Sequence, residues 1–210
     1  MGQRAVGGRR TLRRLTGLDR SGPPPPATHR SAPWRPWTVP NAIGFSRLAL
    51  LPIFLVSALR SGDGVATLPA VLFAVIAWSD YADGIAARLT GQYSKLGALL
   101  DPIVDRLLVI EGIVVCWHFT LLPRWLLAVL VAREVAMLVL GRIAYVRGQQ
   151  ELRINWPGRL AVWPLMAALF AGLVGWPVAG TALLAVGVVL ALLATALYIR
   201  AAARQPSTSS

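Results

Sequence analysis

A single cysteine, Cys116, stands in this chain of 210 residues, so neither an intrachain disulfide nor a multi-cysteine metal site can form. It lies inside an apolar stretch and reads as a packing residue. Charge is scarce too: 14% of the residues are Asp, Glu, Lys or Arg, where a soluble domain carries about 25%. Only nine residues are acidic against 21 basic ones, for a net charge of +12. That excess invites a nucleic-acid reading, because basic stripes bind phosphate backbones. The basic residues are instead spread over one tail and the flanks of apolar blocks, with no base-reading module among them, which excludes nucleic acid as a partner. What the chain has in quantity is apolar sequence, 56% of it at a mean hydropathy of +0.60. Its apolar residues fall in blocks of roughly 18–24, the length a helix needs to cross a bilayer core. The expected fold class is an all-α polytopic integral membrane protein.

Residues 1–38 form a compositionally separate tail. It holds eight arginines, one acidic residue (Asp19) and the run Pro23 to Pro26. No apolar core of signal-peptide type follows these arginines before residue 42. Val6 stands where an N-myristoylation signal wants Ser or Thr. Leu12, Leu15 and Leu18 offer one face of a basic amphipathic helix on anionic lipid; a disordered polybasic tail is the alternative. A six-helix domain is expected over 39–200, with a short C-terminal tail at 201–210. The spacing predicts helices near 41–59, 65–89, 97–118, 123–146, 159–175 and 178–200, the fifth kinked or tilted at Pro164. Positive charge orients them. Arg88, Lys95, Arg147, Arg153, Arg159, Arg200 and Arg204 fall on the side of the tail, and only Arg60 and Arg124 on the other. Both termini are therefore expected to be cytoplasmic. Trp34, Trp37, Trp117, Trp125, Trp156 and Trp176 fall where interfacial anchors belong.

The second and third helices carry the chemistry. Asp80, Asp83, Gly84, Ala87 and Arg88 end one, and Gly97, Asp101 and Asp105 begin the next. A carboxylate at the centre of a membrane helix costs about 2.5–3.5 kcal/mol, so four cost on the order of 10 unless something offsets them. Folding the hairpin about Gln92 and Tyr93 brings Asp80 level with Asp105, Asp83 with Asp101 and Arg88 with Gly97. Spacings of three and four residues keep the carboxylates of each helix on one face. Oxygen-only ligands open to the cytosol point to a hard cation, Mg²⁺ or Mn²⁺, and two ions would suit a diphosphate. Gly84 and Gly97 would let a ligand approach the backbone, and Arg88 would meet a phosphate. A purely structural ion-pair network is the alternative, with Arg88, Lys95 and Arg106 as the nearby cations.

These positions match D-x2-D-G-x2-A-R-x8-G-x3-D-x3-D throughout, and the segment resembles the signature of the CDP-alcohol phosphotransferases. Thr38-Val-Pro-Asn41 followed by Arg47 is similar to that family's opening segment, so the resemblance covers roughly 38–200. It implies transfer of a substituted phosphate from a CDP-linked donor to an alcohol, with release of CMP. By motif position, Asp80, Asp83 and Asp101 would ligate metal, and Asp105 would be the general base and also touch a metal. The CDP moiety would be held by Asp83, Gly84, Ala87, Arg88 and Gly97.

The branch that this chain resembles most contains the bacterial phosphatidylglycerophosphate synthases and CMP-forming cardiolipin synthases. That implies CDP-diacylglycerol as donor, glycerol 3-phosphate as first-choice acceptor, a bacterial cell membrane and a homodimer. Gly- and Ala-rich faces on helices 3, 4 and 6 are available for close packing. Arg133, Arg142, Arg153 and Arg159 are candidates for an acceptor-phosphate pocket; alternatively Arg133 pairs with Glu134 or Glu111, and the loop arginines are orientation signals. Gly158-Arg159-Leu160 keeps a positive charge but lacks the hydroxyl of the Gly-Lys-Thr-like start of that branch. Phosphatidylglycerol is therefore the rival acceptor, and an inositol phosphate a more distant one. From another class, a cation transporter or channel would also need intramembrane carboxylates, but would spread its charges across the bilayer depth.

Overall fold

The computed structural model describes residues 38–90, 95–146 and 156–203; within them the side chains of 39–40, 80–90, 95, 98–99, 141, 144–146, 156–159 and 201–203 lie outside the description. The described residues form six helices and no strand: α1 (Val39–Leu59), α2 (Thr67–Thr90), α3 (Lys95–His118), α4 (Arg124–Val146), α5 (Trp156–Val174) and α6 (Pro177–Ala203). The all-helical expectation holds, and the predicted helices fall where they were placed, to within three residues at each end.

Capping chemistry sets the ends. At α1 the Asn41 backbone N–H donates to Thr38 Oγ1 at 3.3 Å, and Ala42 N–H to the Thr38 carbonyl at 3.0 Å. Thr38 is thus an N-cap, and Pro40 sits in the first turn, where a missing N–H costs nothing. This cap starts α1 two residues earlier than hydropathy alone predicts. At the end of α5, Trp176 N–H bonds the Ala171 carbonyl and Gly175 N–H the Gly172 carbonyl, with Gly175 at φ +83°. The end of α3 repeats this pattern, Leu121 N–H to the Cys116 carbonyl and Thr120 N–H to the Trp117 carbonyl, but puts Thr120 at φ +58°. A β-branched residue is strained there by about 1–2 kcal/mol. Thr120→Gly should therefore stabilise by about 0.5–1 kcal/mol after the entropy that glycine loses on folding, read as a higher thermal midpoint.

The chain divides into two compact units, one of residues up to Leu51 with Val75–Leu107, the other of Pro52–Ala74 with Leu108 onward. α1 buries one stripe, Asn41, Gly44, Arg47, Leu51, Phe54 and Ala58, at helical spacing. In the first unit Gly44 faces Leu100 of α3. In the second, Phe54 and Phe73 pack at a centroid distance of 5.6 Å, and Cys116 is fully buried beside Gly172, as its packing role requires. A Cβ on Gly180 would stand 3.2 Å from the Ala168 carbonyl oxygen, and one on Gly187 would stand 2.7 Å from the Leu165 side chain, so α6 approaches α5 through its glycines. α5 runs unbroken through Pro164.

Among the described residues two helices are long and apolar enough to cross a membrane, Asn41–Leu59 and Pro177–Arg200. Only about a third of the second is buried, and less of the first, unlike the core helix of a soluble protein. Charged residues interrupt the apolar sequence of α2, α3 and α4. Asp80 and Asp83 end the apolar run Thr67–Ser79 of α2; Asp101, Asp105, Arg106 and Glu111 punctuate α3, and Arg133, Glu134 and Arg142 punctuate α4. In α5 the apolar run Leu160–Val174 takes in every residue of the helix whose side chain is described.

Candidate active site

Asp101 and Asp105 lie four residues apart on α3, one turn of helix, which brings them to one side of it. Both are 44% exposed at the side chain, although the neighbouring Val104 and Leu108 are fully buried. Beneath them lies Arg47 of α1, which is 1% exposed. Its Nη2 donates to Asp105 Oδ1 at 2.6 Å, and its Nη1 is 4.0 Å from Asp101 Oδ1. One guanidinium thus spans two carboxylates. This short charge-assisted bond offsets the cost of burying a cation, several kcal/mol when uncompensated.

Among the described residues Asp105 is held by Arg47, a cation beyond the expected Arg88, Lys95 and Arg106; Arg106 is exposed, and the side chains of Arg88 and Lys95 lie outside the described residues. Arg47 entered the sequence reading only as part of an opening segment. The signal that could have found it is plain in α1, where it is the lone charged residue. A cation in such a helix needs an acid from elsewhere in the fold, and pairing across 58 residues leaves no periodicity to read.

Of the other site candidates, Gly97 is half-buried at the start of α3. Asp80, Asp83, Gly84, Ala87 and Arg88 lie on the last turns of α2, and their side chains are outside the described residues. Their expected pairing with Asp105, Asp101 and Gly97 lies outside them too. Among the described residues no group of three or more His, Cys, Asp or Glu side chains comes together. Asp101 and Asp105 nevertheless fit a hard divalent ion in donor chemistry, with carboxylate oxygens on side chains that reach solvent.

The acceptor candidates separate. Arg133 pairs with Glu134, its neighbour on α4, and donates from Nε to Thr195 Oγ1 of α6 at 3.1 Å. Thr195 in turn donates to the Ala191 carbonyl at 2.9 Å. Of the two pairings open to Arg133, the one with Glu134 forms; Glu111 Oε2 is buried without a hydrogen-bond partner among the described residues. Arg142 is exposed, Arg153 lies outside the described residues, and so does the side chain of Arg159.

Comparison with known proteins bears on these residues. The model of the CDP-alcohol phosphatidyltransferase family matches residues 37–196, which include the whole acidic motif and Arg47. The chain is similar to the cardiolipin synthase (CMP-forming) of Streptomyces coelicolor, 40% identical over 137 residues, covering 62% of each chain. It is 38% identical over 143 residues to a putative cardiolipin synthase of Mycobacterium tuberculosis, covering 67% of this chain and 63% of the relative. To the CDP-diacylglycerol–glycerol-3-phosphate 3-phosphatidyltransferase of Bacillus subtilis it is 30% identical over 147 residues, covering 64% of this chain and 76% of the relative. The match thus spans a little over three-fifths of the length of the two cardiolipin-synthase relatives. The family is generally dependent on a divalent metal. On the extent of the family match, the chain belongs to the CDP-alcohol phosphatidyltransferases.

Proposed function

We propose that this chain transfers a phosphatidyl group from CDP-diacylglycerol to a primary hydroxyl of a glycerol-based acceptor and releases CMP. The observation that carries the reading is the pair of half-exposed carboxylates, Asp101 and Asp105, held on one side of α3 by the buried Arg47. In this reading Asp80, Asp83, Asp101 and Asp105 hold divalent metal, Mg²⁺ or Mn²⁺, as two ions. Bound there, the metal supplies neutralising charge for the donor diphosphate. Asp105 takes the proton of the acceptor hydroxyl as its oxygen bonds to the β-phosphorus of the donor. The bond from that phosphorus to the bridging oxygen breaks, and its electron pair leaves with CMP. Asp83, Gly84, Ala87, Arg88 and Gly97 hold the CDP moiety, the glycines by admitting it close to the backbone.

Glycerol 3-phosphate is the acceptor that the sequence reading takes, with Arg133, Arg142, Arg153 and Arg159 as candidates for its phosphate. A specific observation favours a second reading, phosphatidylglycerol. The relatives at 40% and 38% identity are named cardiolipin synthases, against 30% for the glycerol-3-phosphate enzyme. The engagement of Arg133 with Glu134 and Thr195 points the same way, because it commits donors that a phosphate would need. Purified protein given CDP-diacylglycerol, Mn²⁺ and one acceptor at a time distinguishes them. CMP release with glycerol 3-phosphate alone establishes the first reading, and release with phosphatidylglycerol alone the second. No release with either, from folded protein, refutes both.

A six-span integral membrane protein with cytoplasmic termini and active site, acting as a homodimer, completes the proposal. Its support is that every helix exposes large apolar side chains, among them Ile53 on α1, Leu68 on α2, Ile110 on α3, Leu138 on α4, Trp163 on α5 and Val178 on α6. The exposed Trp117, Trp125 and Trp176 near helix ends suit interfacial anchoring. The basic tail lies outside the catalytic machinery in this reading. Deleting residues 2–30 should leave CMP release by the membrane-inserted protein within a few-fold; complete loss would make the tail part of the site.

A further inference from the structure

We propose that Arg47 is a positioning residue for Asp105: its guanidinium holds the carboxylate at the angle from which it meets the acceptor hydroxyl and keeps it in register with Asp101. The inference rests on the reading of Asp105 as the base. Its ground is the asymmetry of the ion pair. Arg47 is 1% exposed, whereas both carboxylates it faces are 44% exposed. A pair serving only to hold helices together gains little from this arrangement. It carries the full desolvation of the cation, while water screens the anion and weakens the attraction that should offset it. The same arrangement suits a site. The carboxylates reach solvent, where ligands arrive, and a rigid donor below fixes their orientation.

Guanidinium chemistry fits this role better than ammonium chemistry. Asp101 and Asp105 are one helical turn apart, so their Cα atoms differ by about 6 Å along the axis. A planar fork directs one Nη to each of two such side chains, whereas a lysine offers one compact point charge. The buried stripe Asn41, Gly44, Arg47 and Leu51 fixes the rotation of α1. Thr38 caps its start only nine residues earlier, so the fork has a rigid base. Unlike the aspartates, Arg47 would act without touching metal or substrate.

The test compares Arg47→Gln, Arg47→Lys, Asp105→Asn and the double variant Arg47→Gln/Asp105→Asn in detergent with CDP-diacylglycerol, Mn²⁺ and the active acceptor. The expected result for Arg47→Gln is a kcat about 10–100-fold lower, as for other residues that orient a reacting ligand. KM values and Mn²⁺-dependent CDP binding should stay within a few-fold, and Arg47→Lys should recover part of the lost kcat. A purely structural role would lower the thermal midpoint and leave kcat per folded enzyme unchanged, which overturns the proposal. A raised KM at unchanged kcat would make Arg47 a substrate contact and also overturn it. Should Asp105→Asn turn over at the unsubstituted rate, the reading of Asp105 fails and the positioning role fails with it, whatever Arg47→Gln does. If the unsubstituted protein released no CMP, the thermal midpoints of the four chains would still decide the pairing. Non-additive shifts support a coupled pair, and additive ones overturn it.

Discussion

Asp105→Asn is expected to lower CMP release by about 10²–10⁴-fold, the range that a positioned general base contributes, and also to lower the thermal midpoint by several degrees. The first effect follows from the chemistry, because an amide cannot take the acceptor's proton. The second follows from the structure. Arg47 is fully buried and donates to Asp105 Oδ1 at 2.6 Å. After the substitution the amide oxygen still accepts that bond, but the counter-charge of Asp105 is gone, and Asp101, at 4.0 Å, is the nearest described carboxylate that remains to the guanidinium. A buried charge deprived of its partner costs about 1–3 kcal/mol when some compensation remains, and 1 kcal/mol moves the midpoint of a chain of this size by about 2–4 °C. Turnover measured with and without correction for folded fraction separates the two effects. Unchanged turnover removes Asp105 as the base; an unchanged midpoint means that the remaining contacts of Arg47, Asp101 among them, satisfy it.

Asp83→Ala is expected to eliminate divalent-metal-dependent CDP binding along with activity. In the proposed reading Asp83 would be a ligand to metal and a neighbour of the nucleotide, so its loss would release the cation whose charge neutralises the donor diphosphate. Charge stabilisation of that kind is worth several kcal/mol, and about 4 kcal/mol corresponds to a rate loss of about 10³-fold. Calorimetric titration of CDP in the presence of Mn²⁺ reads binding directly and needs no turnover. Metal affinity equal to that of the unsubstituted protein refutes the ligand role. The contrast with Arg47→Gln is the informative part, because that variant keeps nucleotide binding while losing rate.

The helices were legible because their signals are local. Apolar blocks of spanning length, broken by Ser61-Gly-Asp-Gly64, Leu122-Pro123 and Gly175-Trp-Pro177, place all six. Cap geometry moved the ends by a few residues, as at Thr38, since one hydroxyl determines where the first free N–H is satisfied. Strain at Thr120 was not legible. The helix-end pattern that usually calls for glycine forms there with a threonine, and only the backbone angle reveals it. The packing role of the glycines was half legible. A small-residue face on the sixth helix was available to pack either within the chain or against another copy, and Gly180 and Gly187 lie against Leu122 and Leu165 of the same chain.

By itself the sequence determined the all-helical class and the acidic constellation from Asp80 to Asp105, through spacing that one turn of helix converts into a shared face. Its match at every motif position also pointed to the family that residues 37–196 bear out. Only the tertiary structure showed that Arg47 answers Asp105. Arg47 meets Asp105 across 58 residues, and it is buried where the acids are half open. The same holds for Arg133, for which an acceptor phosphate and an acidic partner, Glu134 or Glu111, were both open from sequence, and which engages Glu134 and Thr195. The physical reason is common to both cases. Helical periodicity fixes which face a residue occupies, but an ion pair depends on how deep each helix sits and what it lies against, and those follow from packing among segments far apart in the chain.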